Sequence, residues 1–208
     1  MVPHDDIAQV VDAQRRFNEA IAGLTDADAH RATLCPGWTV GHLLTHVARN
    51  ADSHVRRAHA ATRGEVVEQY PGGYEGRAAE IEAGAHRPAA ELIDDMHASA
   101  QTLEHTWAHL PPDVWDNVTR DVGGRERPLH QLVARRWQEL EVHVIDLDLG
   151  ITYRDWPQTF VATWLPRLRA YAGDVAHATP SQLDAHEELA WLYGRLARPD
   201  LPTPPAWG

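Results

Sequence analysis

The sequence predicts a mostly all-α protein: a four-helix bundle over residues 1–150, a short C-terminal helical region over 151–208 packed on it, and one short hairpin. Three observations carry that expectation. Four long stretches repeat apolar residues every three or four positions, Pro and Gly punctuate the gaps between them, and 208 residues suffice for one substantial core plus a modest appendage.

Ile7, Val10, Val11, Phe17, Ile21 and Leu24 share one face of a helix over 5–24, with Gly23 marking its end. Cys35-Pro36-Gly37-Trp38-Thr39 is a turn into a second helix that runs to about Ala61, and Thr39 is placed to cap it by accepting a bond from a free amide. Val40, Leu43, Leu44, Val47, Ala51, Val55 and Ala58 form its buried stripe. Tyr70-Pro71-Gly72-Gly73-Tyr74 has the residue types of a loop and belongs to a long connection. Leu92, Met96, Ala100, Leu103, Trp107 and Leu110 define a third helix from about Pro88 to Leu110, stopped by Pro111-Pro112. Asn117-Val118-Thr119 and Arg125-Glu126-Arg127 flank Gly123-Gly124, the pairing expected of a small hairpin or an irregular lid. Pro128 suits the first turn of a fourth helix, whose apolar face is Leu129, Leu132, Val133, Trp137, Leu140, Val144 and Leu147 before Gly150 ends it. Two shorter helical stretches follow, about 157–172 and 182–196, the second with Ser181 as cap and Asp184 at the box position, and a Pro-rich tail runs from Pro199 to Pro205.

Composition removes several chemistries. All 19 basic residues are arginine, so a Schiff-base nucleophile, a pyridoxal phosphate anchor and a Walker phosphate loop are excluded for want of a lysine amine. A formal charge of −11, with arginines scattered along the chain, argues against a nucleic-acid partner. Cys35 is the single cysteine and permits no internal disulfide, and His4-Asp5-Asp6 lacks the basic-then-apolar pattern of a secretory signal, so a cytoplasmic location is expected. No apolar run approaches the roughly 20 residues that cross a bilayer, so no membrane partner is expected either. The 14 histidines point instead to metal binding or proton transfer.

On the fourth helix Glu139 and His143 stand four residues apart and project from one face, on a flank of the apolar stripe. On the second helix His46 lies beside Leu43 at the edge of the buried face, with His42 one turn earlier and nearer the polar side. One histidine from each helix plus the carboxylate makes a three-ligand set suited to zinc or a similar divalent ion, with a fourth position left for water or substrate. Taken alone, the spacing of Glu139 and His143 is more often that of a surface ion pair. His-Glu-x-x-His is absent, which removes the zincin motif.

Pro36-Gly37-Trp38-Thr39, followed by Gly41-His42-Leu43-Leu44-Thr45-His46-Val47-Ala48-Arg49-Asn50-Ala51-Asp52, resembles the N-terminal signature of the mycothiol-dependent maleylpyruvate isomerase family, a branch of the DinB-like metal-binding bundles. Glu139-Leu140-Glu141-Val142-His143, with Asp146-Leu147 after it, resembles the family's Glu-x-x-x-His segment, and Ala190-Trp191-Leu192-Tyr193-Gly194-Arg195 resembles its C-terminal helix. The resemblance spans nearly the whole chain. It implies a DinB-like four-helix bundle, a divalent metal, usually Zn2+, held by His46, Glu139 and His143, and a substrate-contacting arginine at Arg195. It also implies mycothiol or ergothioneine as a small-molecule thiol cosubstrate, a small anionic unsaturated substrate, and isomerisation of maleylpyruvate to fumarylpyruvate. Thiol transfer to another electrophile, a non-catalytic metal-binding regulatory bundle and a metal-dependent hydrolase are the alternative functions.

Other residues have bland readings beside functional ones. Cys35 is expected to be a packed, inert thiol, and Trp38 and Trp191 core aromatics. His42 fits either a helix cap or a support for His46. Asn50 and Asp52 fit either a support for a ligand ring or a solvated face, and Arg49 fits a surface position or a contact to an anionic substrate.

Overall fold

The computed structural model describes residues 1–173 and 183–204, which fall into two compact units, Met1–Leu147 and Asp148–Gly208. In the first unit, α1 (His4–Ile21), α3 (Val40–Thr62), α5 (Ala89–Ala108) and α6 (Gln131–Asp146) form the bundle. The contacts close a ring: α3 lies along α5, α5 touches α1, α1 lies along α6, and α6 returns to α3. The helices bury most of the stripes their spacing marks, with Val10, Phe17 and Ile21 from α1, Leu43, Leu44 and Val47 from α3, Leu92, Met96 and Leu103 from α5, and Leu132, Val133 and Leu140 from α6. Val11, read as part of the α1 stripe, is instead 41% exposed, one position round the helix from the buried Val10. No helix among the described residues is long and apolar enough to cross a membrane.

Thr39 caps α3 as expected, in a reciprocal box whose third residue is His42: Thr39 Oγ1 accepts from the His42 amide, and the Thr39 amide donates to His42 Nδ1. A short helix, α2 (Asp26–Ala29), precedes this turn and carries its own box between Thr25 and Asp28.

The connection read as a long loop contains a helix, α4 (Gly73–Gly84). Gly72, in the left-handed region at φ +77°, reverses the chain into it. Ile81 is its one buried residue, so α4 has no apolar stripe of its own and forms by lying on α3. The crossing is close because Gly41 has no side chain: a Cβ there would come within 2.1 Å of the Ala85 carbonyl oxygen.

The hairpin forms from β1 (Val118–Arg120) and β2 (Glu126–Pro128), antiparallel, with Thr119 opposite Arg127. Pro128 therefore ends a strand instead of opening the fourth helix, which starts at Gln131. A residue without an N–H is tolerated at the margin of a two-stranded ladder.

The second unit holds α7 (Gln158–Ala172) and, following the undescribed residues, α8 (Ala185–Leu192). Trp156, Phe160, Trp164 and Tyr193 pack ring against ring between them, with Phe160 and Tyr193 nearly parallel at 14°. Asp184 is the residue that caps α8, in a box with Glu187; Ser181 and Pro205 lie outside the described residues.

Candidate metal centre

The bundle brings His46 of α3 against Glu139 and His143 of α6. His46 Nε2 and His143 Nε2 both point at Glu139 Oε2, at 3.1 and 3.3 Å, and the two imidazole rings meet nearly perpendicular, centroids 5.0 Å apart. A tetrahedral ion with bonds of about 2.0–2.1 Å separates its ligand atoms by about 3.3 Å. The donor set fits one such ion in chemistry, and the two nitrogen-to-carboxylate separations match its spacing.

Electrostatics suit the same conclusion. Burial drives the His46 pKa down to about 4, so its ring is neutral and offers a lone pair at neutral pH. Burial opposes ionisation of Glu139, yet bonds to the His143 and His46 rings hold its carboxyl well below the usual range. On His143 burial works toward the neutral ring, and bonds to Asp146, Cys35 and Glu139 outweigh it, raising the pKa well above the ordinary value. The proton that His143 carries and a divalent cation compete for the same place beside Glu139.

Support for the ligands comes from three directions. Asp146, fully buried at the end of α6, accepts from His143 Nδ1 at 2.9 Å, an arrangement that turns Nε2 toward Glu139. The Asp146 carbonyl accepts the Leu34 amide at 2.9 Å, and Cys35 Sγ donates to Asp146 Oδ2 at 3.3 Å. Cys35, expected as a packed, inert thiol, is therefore a neighbour of this three-residue group. Beneath the pair, Arg136 of α6 is wholly buried; it donates to the Val47 carbonyl at 2.7 Å and Asn50 Oδ1 at 2.9 Å on α3, and to Gln14 Oε1 at 3.0 Å on α1. Burial lowers its pKa to about 10, which leaves it a cation at neutral pH.

A family model described as the mycothiol maleylpyruvate isomerase N-terminal domain matches residues 10–148, a span that contains all three of these residues. The chain belongs to that family. As a member of the maleylpyruvate isomerase family it also has the fold of solved relatives. The crystal structure of the mycothiol-dependent maleylpyruvate isomerase superposes with a TM-score of 0.87 at 21% identity, over 100% of this chain and 98% of that one. A crystal structure of a histidine-to-alanine mutant of a mycothiol-dependent maleylpyruvate isomerase superposes at 0.85, with the same identity and coverage. No curated protein sequence matches the chain.

Within this family member the other candidates sort clearly. His42 caps α3 and faces Glu82, away from the three-residue group. Asn50 supports Arg136 and not a ligand ring, while Arg49 and Asp52 pair with each other at 2.8 Å, Arg49 also reaching Asp95 on α5. Trp38 lies beside the centre, its ring 5.3 Å from that of His46. Arg195, in the second unit, follows α8 and donates from Nη1 to the Tyr193 carbonyl at 2.7 Å.

Sequence reasoning missed Arg77. From α4 its guanidinium lies over the faces of Trp38 and Tyr70, at 5.6 and 5.8 Å, and its Nη2 is 3.2 Å from His46 Nδ1. It is the single basic residue between Arg63 and His86, in the stretch read as a loop, and nothing in that reading directs it inward.

Proposed function

We propose that this chain is a divalent-metal-dependent and thiol-dependent isomerase that converts maleylpyruvate to fumarylpyruvate, with mycothiol as the thiol and ergothioneine as the alternative. One observation carries the reading: His46, Glu139 and His143 bring three donor atoms within 4.8 Å of one another, with the two imidazole nitrogens 3.1 and 3.3 Å from the carboxylate oxygen. Membership of the maleylpyruvate isomerase family supports it. These three residues would hold zinc or a similar divalent ion as two imidazoles and a carboxylate. Bound there, the ion supplies Lewis acidity, lowering the pKa of an incoming thiol so that its sulfur is available as thiolate.

The protein's own groups do the rest. Asp146 keeps the His143 ring turned to the site through its bond at Nδ1. Arg77, steadied by Trp38 and Tyr70, meets a carboxylate of the dianionic substrate. The sulfur's electron pair forms a bond to one carbon of the cis double bond, and the displaced pair moves onto the conjugated carbonyl as an enolate, which the guanidinium stabilises. The former double bond is now single and rotates; return of the enolate electrons expels the thiolate and leaves the trans product. Arg195 is proposed as a further substrate arginine on its match to the family's C-terminal motif.

The test is turnover of maleylpyruvate by the full chain supplied with zinc and either thiol, followed by the appearance of fumarylpyruvate. Activity that requires both metal and thiol and is lost in His46→Ala supports the proposal; no turnover with either thiol overturns it. Net consumption of thiol into a stable adduct makes the protein an S-transferase, and thiol-independent cleavage of the substrate by water into two acids makes it a hydrolase. Metal retention with no turnover of any kind makes it a regulatory bundle.

A further inference from the structure

Away from the centre just described, His42, Glu82 and His86 form a second group that shares no residue with it. His42 Nε2 lies 3.2 Å from Glu82 Oε2, and His86 Nε2 lies 3.2 Å from Glu82 Oε1. Donor atoms of all three fall within 4.8 Å of one another, and the two rings meet edge-on with centroids 5.6 Å apart. We propose that these side chains bind a second divalent transition-metal ion, which ties the end of α4 to the first turn of α3.

The donor chemistry selects the ion. Two imidazoles and one carboxylate suit zinc, nickel or copper and suit magnesium or calcium poorly, since those take oxygen ligands. The His86 and His42 rings keep the Glu82 carboxyl below its ordinary range, so it is anionic at neutral pH.

His42 is set up for this task by the capping box. Its side chain is 10% exposed and its Nδ1 is 2.8 Å from Thr39 Oγ1. The Thr39 amide and hydroxyl both lie against Nδ1, which fixes the ring with Nε2 toward Glu82 and His86. An ion would take the place of the Nε2 proton, and Nδ1, protonated in that loaded state, would turn its proton to the Thr39 hydroxyl as a supporting acceptor. Glu82 and His86 are 68% and 63% exposed, so an ion can reach the group from solvent and those two side chains can adjust to it.

The backbone beneath is already in register. Gly41 against Ala85 and Gly84 against Thr45 bring α3 and the end of α4 into close contact, so Glu82 and His86 are held over the α3 N-terminus before any ion arrives. Because Arg77 is also on α4, an ion at this second site would fasten the helix that carries Arg77 toward His46.

The experiment is equilibrium dialysis of the chelator-stripped full chain against micromolar free zinc, with bound metal counted by mass spectrometry. Two ions per chain are expected for the wild type, one for His86→Ala, one for Glu82→Gln and one for His46→Ala, with far-UV circular dichroism confirming that each variant is folded. His86 and Glu82 are solvent-facing, so their variants keep the fold. Binding by His86→Ala and Glu82→Gln that equals the wild type, or the absence of any bound zinc in His46→Ala, overturns the proposal. Failure of the first centre reads differently: His46→Ala would then match the wild type while His86→Ala loses its ion.

Discussion

Asp146→Asn isolates the contribution of a residue that supplies none of the three proposed donor atoms but holds one of them in place. Asp146 is fully buried, and its Oδ2 receives His143 Nδ1 at 2.9 Å and Cys35 Sγ at 3.3 Å. Asparagine keeps the shape and removes the charge. If its carbonyl faces the ring, a charge-assisted bond becomes a neutral one; if its amide faces the ring, Nδ1 must accept and the proton moves to Nε2, the atom 3.3 Å from Glu139 Oε2. Hydrogen bonds to charged groups contribute about 1.5–3 kcal/mol, and losing the outer partner of a metal-bound histidine weakens metal affinity about 10–100-fold. Zinc Kd is therefore expected to rise by about that factor, measured at fixed pH by competition with a chromophoric chelator. Cys35→Ala removes only a weak S–H donor and is expected to change Kd by less than about threefold. Wild-type affinity in Asp146→Asn, or equal losses in both variants, would refute the reasoning that Asp146 orients His143.

Other outcomes follow from the same geometry. Gly41→Ala would bring a methyl into the Ala85 carbonyl, a backbone atom that cannot step aside, and is expected to destabilise by about 1–3 kcal/mol, read as a lower urea midpoint; an unchanged midpoint would show that α4 moves freely on α3. Arg77→Ala is expected to raise KM for maleylpyruvate about 10–100-fold, from the loss of one charge-assisted contact, with Arg77→Lys recovering part of it; unchanged kinetics would remove Arg77 from substrate binding. Burial, followed by the charges of Arg57 and Arg136, holds His54 well below its usual pKa, so the folded ring stays neutral where an unfolded one takes up a proton. Its contribution is whole above pH of about 6.5 and declines by about 1.4 kcal/mol per pH unit below that, until the folded ring itself titrates. Urea unfolding from pH 7 to pH 5 checks this, because His54→Phe should show a shallower loss than the wild type, and equal slopes would contradict it.

The parts of the fold that were legible are those where one helix carries its own instructions. The repeats in α1, α3, α5 and α6 mark their buried faces, and Thr39 marks the start of α3. The helix α4 was not legible because its stability comes from lying on α3 through Gly41 and Ala85, a contact between residues 44 positions apart, while its own Gly73, Gly76 and Gly84 argue for a loop. At the candidate metal centre, the four-residue spacing of Glu139 and His143 was visible, and naming His46 rather than His42 as their companion rested on the family signature, since the two are one turn apart on α3; the structure sets His46 against the pair. Cys35 and Asp146 meet across 111 residues, a proximity that no local pattern encodes. Arg136 did leave a trace: it sits three residues after Val133 and four after Leu132, a charge inside an apolar stripe, and the stripe was read around it.

That buried guanidinium has a bearing on how the protein would hold the proposed ion. By joining Val47 and Asn50 on one side and Gln14 on another, Arg136 fixes the gap across which His46 faces Glu139 and His143. The scaffold, and not the guest, sets the dimensions of the pocket. Small zinc domains collapse when their metal is withdrawn because coordination is their folding energy; here buried side chains already brace the helices, so the proposed cation would enter and leave a pocket whose walls stand without it.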